Sequence, residues 1–293
     1  MYKEFSKTLH ILDEKILNLD DRQIQQGFES VPLEIFSKLQ IDRPAEFPNL
    51  MKWLPVMPST AVQQSWTGNS DHELMKQSVS FLKTTVGKYH EIAGKPLNRG
   101  HVLDFGCGWG RLIRLLYKYV PAESIYGVDP WDQSIDLCHQ THLHGNIALS
   151  DYLPVSLPVP SSIKFDLVIA FSVFTHLSER AFNACAEVIQ QYMSPNGVLA
   201  LTIRPVEFWT FIHGTTPFFA KIDLSQKLED HEQRGFAFFP HEREKVLGDI
   251  TYGESTVSID YLMNAFSGMK LCGIEWSEID PLQIVVFLQK GTE

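Results

Sequence analysis

A chain of 293 residues with a 44% share of hydrophobic residues is long enough for one large domain, or for one domain with an added lobe. Its net charge of −10, without a run of lysine or arginine, disfavours nucleic acid as substrate and an anionic membrane as resting place. The four cysteines form no C-x-x-C pair and no stretch approaches roughly 18 uncharged apolar residues, so we expect no disulfide, no transmembrane span and a cytoplasmic location.

Residues 1–95 are predicted to form a helical N-terminal extension. Apolar side chains recur at helical spacing over residues 21–40, and Pro32 is expected to interrupt that pattern. After a proline-rich connector, Ser70 and Glu73 have the spacing of a capping box, which predicts the start of a further helix.

Strands and helices alternate from residue 101 to residue 203, within a domain expected over residues 96–293. Apolar stretches predict strands at 101–105, 124–129, 146–150, 164–171 and 197–203. Amphipathic stretches between them predict helices at 109–120, 131–140 and 178–193. This alternation is typical of an α/β fold with a doubly wound, parallel sheet. Three prolines within residues 151–163 predict a loop in place of one crossover helix.

Residues 205–253 interrupt this alternation and are rich in aromatic side chains. An insertion after the fifth strand cannot enter the sheet, so it must lie over the carboxyl edge, where ligands of open α/β folds bind. We therefore expect an inserted substrate-binding lobe, with simple core packing as the alternative. A helix at 255–268 and strands at 270–276 and 282–290 are predicted to complete the domain.

Three glycines at alternate positions, Gly106, Gly108 and Gly110, follow the first predicted strand and are expected to lie against a ligand. A dinucleotide fingerprint would require a third glycine where Arg111 stands. The spacing therefore favours a ligand without a pyrophosphate over a nicotinamide dinucleotide. The carboxylate of Asp104, which opens the segment, can order the turn or face a cationic group.

An acid at the end of the next strand supplies the second element of this candidate site. Asp129 is placed to accept hydrogen bonds from ribose hydroxyls, and Trp131 offers an aromatic face or edge to an adenine. The alternative is that Asp129 caps the helix that begins near Trp131.

This succession of segments resembles the motifs of class I S-adenosylmethionine-dependent methyltransferases, over residues 101–205 and again near the closing strands at 271–288. The matching segments are VLDFGCGWGR, YGVDPW, SDYLP, FDLVIAFSVFTHL and GVLALTIRP. The resemblance implies a Rossmann-like, seven-stranded, mostly parallel sheet with an antiparallel last strand. It also implies S-adenosyl-L-methionine as cofactor, with S-adenosyl-L-homocysteine as product, and is closest to bacterial small-molecule or glycan-associated enzymes.

Carried over by position, the resemblance assigns the cofactor contacts. Gly106 and Gly108 would lie under the methionine and ribose, Asp129 would bind the ribose, and Pro130 or Trp131 would border the adenine.

The resemblance also assigns contacts outside the glycine turn. Asp151 and Tyr152 would meet the adenine edge, and Phe171 would lie near the transferable methyl group. Trp66 and Thr67 precede a helix and would close over the methionine end, with packing as the alternative for Trp66.

Methyl transfer needs a positioned nucleophile and at most one base to remove its proton. His176, after the fourth strand, and His213, after the fifth, are the catalytic candidates, because histidine titrates near neutral pH. The alternative for His176 is a backbone hydrogen bond that orders its loop.

The predicted substrate contacts are Arg204, Glu207, Trp209 and Tyr252, with an ion pair to a neighbouring acid as the alternative for Arg204. The histidines show no metal-ligand spacing, so no metal is expected.

The sequence therefore predicts an enzyme that transfers a methyl group to an oxygen or nitrogen of a small-molecule or sugar acceptor. A non-catalytic, S-adenosylmethionine-binding regulatory or scaffold protein of the same fold is the alternative, and an NAD-dependent oxidoreductase is the third hypothesis. No N/D-P-P-Y/W tetrapeptide follows the fourth strand, which disfavours amino-methylation of DNA bases or protein glutamine. The oligomeric state stays open, with a homodimer as one option.

Overall fold

Among the described residues, six α-helices precede the first strand. The structure is a computed structural model that describes residues 4–276, 280 and 282–292. The helices are α1 (Ser6–Lys15), α2 (Asp21–Phe28), α3 (Leu33–Asp42), α4 (Pro48–Trp53), α5 (Thr60–Thr67) and α6 (Asp71–Ala93). Pro32 is the N-cap of α3, which confirms the predicted interruption. Gly94, with φ of 64°, ends α6 in the left-handed conformation that favours glycine.

The capping box predicted at Ser70 is wrong. The Ser70 side chain makes no cap hydrogen bond. Asp71, the first residue of α6, has a φ of 48° rather than a helical value, and its N–H donates to Oε1 of Gln63 at 2.9 Å. A capping box does occur at α2, where the N–H of Gln23 donates to Asp20 at 2.8 Å and the N–H of Asp20 donates to Gln23 at 3.0 Å.

The chain divides into two compact units, residues 1–149 and 150–293, so the helical extension belongs to the same unit as the first three strands. The remaining elements of the first unit are β1 (Val102–Phe105), α7 (Ile113–Leu116), β2 (Ile125–Asp129), α8 (Asp132–Gln140) and β3 (Asn146–Leu149). The strands lie in the order β3-β2-β1 and are parallel. The helix predicted at 109–120 is reduced to α7. It starts late because the glycine turn precedes it, and it ends early because Tyr119 donates to the third residue back rather than the fourth.

Two buried cations join the helical extension to the rest of the first unit. The guanidinium of Arg114 donates to the carbonyls of Gly110 and Val56, both at 3.3 Å. The ammonium of Lys118 donates to the carbonyls of Phe28 and Glu29, at 3.2 and 2.9 Å, where α2 ends. Cations at a helix C-terminus satisfy carbonyls that lack an intrahelical partner.

The second unit contributes four strands of the main sheet and a separate hairpin. Its elements are β4 (Phe165–Ala170), α9 (Glu179–Tyr192), β5 (Met193–Ile203), α10 (Glu207–Ile212), α11 (Leu224–Arg234), β6 (Phe236–Pro240), β7 (Gly253–Val257), α12 (Ile259–Ala265), β8 (Met269–Trp276) and β9 (Ile284–Lys290). Strands β4, β5, β9 and β8 lie in that order, and β9 is antiparallel to both of its neighbours. The seven-stranded, mostly parallel sheet of the predicted α/β fold is therefore confirmed.

The predicted insertion has regular structure of its own. It contains α10, α11 and the antiparallel pair β6–β7. The helix predicted at 255–268 is shorter in the structure, because residues 255–257 complete β7 and only α12 remains helical. No helix forms in residues 151–163, as their prolines predicted. None of the helices within the described residues is long and apolar enough to cross a membrane.

We predict that Arg114→Met lowers the free energy of unfolding by about 2–4 kcal/mol, because it removes the guanidinium donors that join the carbonyls of Gly110 and Val56 while keeping the apolar stem. Urea unfolding followed by circular dichroism measures this. Arg99→Met, at an exposed arginine, is the matched control and should change stability little. Equal stability of the two variants would contradict the role of Arg114.

Candidate functional site

The turn after β1 is formed by three glycines with positive φ. The φ angles of Gly106, Gly108 and Gly110 are 75°, 53° and 78°, which L residues adopt only with strain. A Cβ added at Gly110 would overlap the side chain of Leu143, which would have to move to accommodate it. A Cβ added at Gly108 would meet nothing within 4 Å inside the protein, so Gly108 faces open space where a ligand can approach the backbone.

The three glycine amides of this turn bond within the protein. The N–H of Gly106 donates to the carbonyl of Val128 at 2.8 Å, and the N–H of Gly110 donates to the carbonyl of Cys107 at 2.9 Å. The N–H of Gly108 donates to the Asp129 carboxylate at 2.9 Å. These amides are therefore not directed outward as a phosphate cradle would be.

Asp129, at the end of β2, links this turn to the start of α8. One carboxylate oxygen accepts from Gly108, and the other accepts from the N–H of Trp131 at 3.0 Å. Burial raises the pKa of Asp129, while the hydrogen bonds from Trp131, Gly108 and Ser134 oppose that increase. A carboxylate has about four acceptor positions, so these bonds leave capacity for a ligand hydroxyl. Asp129 thus orders the residues before α8, which has no side-chain cap, and remains suited to a ribose contact.

Asp104, at β1, is a buried carboxyl with unused hydrogen-bonding capacity. Its side-chain atom Oδ2 has no hydrogen-bond partner among the described residues. Burial raises the pKa of Asp104 to about 7, although the charge of Arg111 acts in the opposite direction. A buried unpaired carboxyl is costly unless a donor or cation approaches it, so this oxygen is suited to a cationic ligand group.

Trp66, on α5, packs against Trp131. The ring centroids are 4.5 Å apart and the planes are tilted by 33°, so one face of Trp131 is already covered. Both rings and Pro130 are only half-buried. The hydroxyl of Thr67 bonds to the carbonyls of Gln63 and Asn69, at 2.7 and 3.0 Å, and so orders the end of α5.

Three other predicted cofactor contacts lie in the second unit. Asp151 is exposed and Tyr152 half-buried in the loop after residue 149, and Phe171 is half-buried directly after β4. Their assignment to the cofactor stays a prediction.

The hairpin β6–β7 carries a buried polar cluster that the sequence did not indicate. Glu254 on β7 is 5% exposed. It forms an ion pair with Arg204 and accepts a hydrogen bond from Nε2 of His241 at 3.0 Å. Nδ1 of His176 lies 3.5 Å from the same carboxylate. The one signal in the sequence is a glutamate among small residues, GESTV, in what the structure shows to be a fully buried strand.

Both ring nitrogens of His176 are engaged. Nδ1 donates to the carbonyl of Gly253 at 2.8 Å, and Nε2 lies 3.4 Å from a guanidinium nitrogen of Arg204. The ring stacks on Tyr252, with centroids 5.0 Å apart. Burial, then the charge of Arg204, lowers the pKa of His176 well below its usual value. This geometry favours the alternative in which His176 orders its loop rather than acting as a base.

The contacts of Arg204 match the alternative prediction for this residue, an ion pair with a neighbouring acid. It donates to Glu254 and to the carbonyl of Thr175 at 3.2 Å, and it lies 4.0 Å from the ring centroid of Phe208. Burial lowers the pKa of Arg204 to about 10, which leaves it charged at neutral pH. Arg204 therefore compensates a buried carboxylate.

Trp209 is a core residue in the structure, which corrects its prediction as a substrate contact. It is fully buried, and its indole N–H donates to the hydroxyl of Thr256 at 2.7 Å. Glu207 and His213 lie at the two exposed ends of α10. Within the described part of the chain, no group of three or more histidine, cysteine, aspartate or glutamate side chains is arranged to hold a metal ion.

Comparisons with known proteins agree with this architecture. Residues 102–197, about a third of the chain, match the family model described as a methyltransferase domain. An uncharacterized protein from Rickettsia prowazekii is 27% identical over 128 residues, which are 43% of this chain and 51% of that protein. The chain thus spans about half the length of this curated relative.

Two solved structures show the same fold. An S-adenosylmethionine-dependent methyltransferase from Clostridium acetobutylicum has a TM-score of 0.53 at 13% identity, covering 79% of this chain and 97% of that one. A protein from Pyrococcus horikoshii has a TM-score of 0.51 at 12% identity, covering 78% and 95%. The Rossmann-like fold is thereby confirmed, and residues 102–197 match a methyltransferase domain.

Proposed function

We propose that this protein transfers a methyl group from S-adenosyl-L-methionine to an oxygen or nitrogen of a small-molecule or sugar acceptor. The observation that carries the proposal is the glycine turn, which is open at Gly108 and flanked by the carboxylates of Asp104 and Asp129. In more detail, we propose a bacterial enzyme of the small-molecule or glycan-associated type that acts in the cytoplasm. A homodimer is one option for its oligomeric state.

The residues of the first unit fit this cofactor. Asp129 has acceptor capacity for a ribose hydroxyl, and the unpaired Oδ2 of Asp104 suits the ammonium of the methionine part. Trp131 and Pro130 are proposed to border the adenine, with Trp66 as the support of Trp131. When bound, S-adenosylmethionine supplies a methyl group on a positively charged sulfur, which is an activated leaving group.

The second unit is proposed to bind the acceptor through its insertion. Aromatic side chains of the insertion pack against the polar cluster, since the ring centroid of Phe218 lies 5.2 Å from those of both Phe239 and His241. Tyr252 and Glu207 remain proposed contacts of the acceptor, and Asp151, Tyr152 and Phe171 remain proposed contacts of the cofactor. An apolar enclosure with a few polar groups is typical of small-molecule sites.

We predict that Asp129→Asn weakens binding of S-adenosylhomocysteine by about 10- to 100-fold, because one charged acceptor of a ribose hydroxyl is lost. Isothermal titration calorimetry measures the affinity, and circular dichroism checks folding. Asp132→Asn, at the exposed start of α8, is the matched control and should bind as the wild type does. If the wild-type protein fails to bind even at millimolar ligand, the proposed function is wrong.

Gly108→Ala is expected to reduce cofactor affinity more than stability. The strain of a positive φ costs about 1–2 kcal/mol, but the added methyl group would also occupy the space over the turn. Gly94→Ala is the control, since Gly94 also has a positive φ and open space but lies at the end of α6. Both variants should lose similar stability in urea unfolding. A Gly108→Ala variant with wild-type affinity for S-adenosylhomocysteine would mean that the ligand does not lie there.

The raised pKa of Asp104 predicts a pH-dependent affinity. With a pKa of about 7, this carboxyl is mostly protonated at pH 6 and ionised at pH 8, and only the ionised form attracts an ammonium. Affinity for S-adenosylhomocysteine should therefore rise about tenfold between those pH values. Calorimetry in two buffers of different ionisation enthalpy would detect the released proton. The Asp104→Asn variant should lose this dependence, and a pH-independent wild type would rule out the contact.

A further inference from the structure

The polar cluster of the second unit lies on one face of the hairpin β6–β7. In its antiparallel register Phe239 pairs with Glu254 and Pro240 pairs with Gly253, and the N–H of His241 donates to the carbonyl of Tyr252 at 3.1 Å. Alternate residues share a face, so Tyr252, Glu254 and His241 lie on the same side. The contact between His241 and Glu254, which are diagonal neighbours across the hairpin, therefore follows from the register of β6 and β7.

His241 has one ring nitrogen fixed by a carboxylate. Nε2 is 3.0 Å from Oε1 of Glu254, so Nε2 carries the hydrogen and Nδ1 keeps its lone pair. The side chain is 26% exposed, which leaves it accessible to a small molecule. His176 touches the same carboxylate, but both of its nitrogens are engaged, and Nδ1 of His231 is bound to Thr256 at 2.9 Å.

Arg243 lies on the same side of the hairpin and is exposed. Its guanidinium carbon is 4.2 Å from the ring centroid of Tyr252, which holds the planar group by a cation–π contact. Among the described residues Arg243 makes no ion pair, whereas Arg204 is compensated by Glu254. In a chain of net charge −10, a positioned arginine without an acidic partner is suited to an anionic ligand group.

We propose that His241 is the base that accepts the proton of the methyl acceptor, that Glu254 is its positioning residue, and that Arg243 selects acceptors bearing a carboxylate or similar anionic group. This inference rests on the proposed function and gives it a substrate class. Tyr252 supports Arg243 and, in an edge-to-face contact with centroids 5.4 Å apart, His241.

The proposed step balances with these residues alone. The acceptor oxygen or nitrogen forms a bond to the methyl carbon while the carbon–sulfur bond breaks, and the sulfur retains that electron pair as a thioether. The acceptor proton passes to Nδ1 of His241 and from there to water. Glu254 stabilises the imidazolium that forms, and no oxidant or metal is required.

Burial and the nearby cations keep the imidazole of His241 in its neutral form. Burial lowers the pKa of His241, and the cations Arg243 and Arg204 lower it further. The groups that face it from neighbouring segments are Glu254 and Tyr252 at β7, Arg204 after β5 and His176 after β4. Since the neutral imidazole is the form that accepts a proton, this environment favours a base at neutral pH.

The first test is nitrogen NMR of the histidine side chains in the full-length protein, with His241→Gln and His231→Gln to assign signals. We expect His241 to be neutral at pH 7 with the hydrogen on Nε2. Benzoate should shift the His241 signals saturably, and neutral benzamide should not. In Arg243→Gln the benzoate affinity should fall about tenfold. A charged His241, the opposite tautomer, or equal responses to the two probes would overturn the inference.

The second test uses turnover of hydroxybenzoates and aminobenzoates against their neutral amides, followed by S-adenosylhomocysteine formation. His241→Gln should lower kcat by about 100-fold and remove the acidic limb of the pH profile, with KM little changed. Arg243→Gln should instead raise KM. Turnover of the amides but not of the acids would overturn the substrate class.

Calorimetry with S-adenosylhomocysteine separates this inference from the proposed function. His241→Gln and Arg243→Gln should both bind that ligand as the wild type does, because the first unit is unchanged. If the wild type binds it and the NMR result is negative, only the assignment of His241 and Arg243 fails. If the wild type does not bind it, the proposed function itself fails.

Discussion

The hydrogen bond from the backbone of Gly108 to the carboxylate of Asp129 is the constraint on which the glycine turn depends. It fixes the end of β2 against the turn after β1, at 2.9 Å, and requires the left-handed conformation that glycine adopts without strain. The amides of Gly106 and Gly110 also bond to protein carbonyls, so none of the three glycine amides is free for a ligand, while the carboxylates of Asp104 and Asp129 flank the turn. A pyrophosphate needs outward N–H donors, whereas a ribose and an ammonium need acceptors. This chemistry favours S-adenosylmethionine over a nicotinamide dinucleotide.

Each unit stabilises buried charge by a different means. In the first unit, Arg114 and Lys118 donate to backbone carbonyls, so the cations complete the hydrogen bonding of helix ends and loops. In the second unit, the buried carboxylate of Glu254 is met by Arg204 and His241. Carbonyls accept a hydrogen bond without titrating, so the first arrangement is structural. The second arrangement contains titratable groups, whose protons a reaction can use.

The sheet was predictable because its strands are short apolar segments bounded by local turn signals. The strand 146–149 and the buried strand 165–170 lie close to their expected bounds. The capping box at Ser70 is absent because the backbone is not helical at Asp71, whose N–H is bound by Gln63, a contact that depends on how α5 and α6 pack. The hairpin was missed for a related reason. Its strands are separated by residues 241–252, and β7 is polar, so neither hydrophobic periodicity nor a short turn indicates it.

The histidines show why position along the chain is a poor guide to chemistry. His176 follows the fourth strand, where the resemblance favours a base, yet its Nδ1 bonds to a carbonyl and its Nε2 faces a cation. His241 lies in the insertion, where no motif marks it, and within the described residues only Nε2 of its ring has a hydrogen-bond partner. A base needs a free lone pair and a partner for the charge that it gains. In His176 the cation of Arg204 lies at Nε2, whereas in His241 the carboxylate of Glu254 accepts the N–H of Nε2; burial and nearby cations lower the pKa of both rings. The same glutamate therefore lies beside both rings, and the surroundings of the other ring nitrogen decide which of them can take a proton.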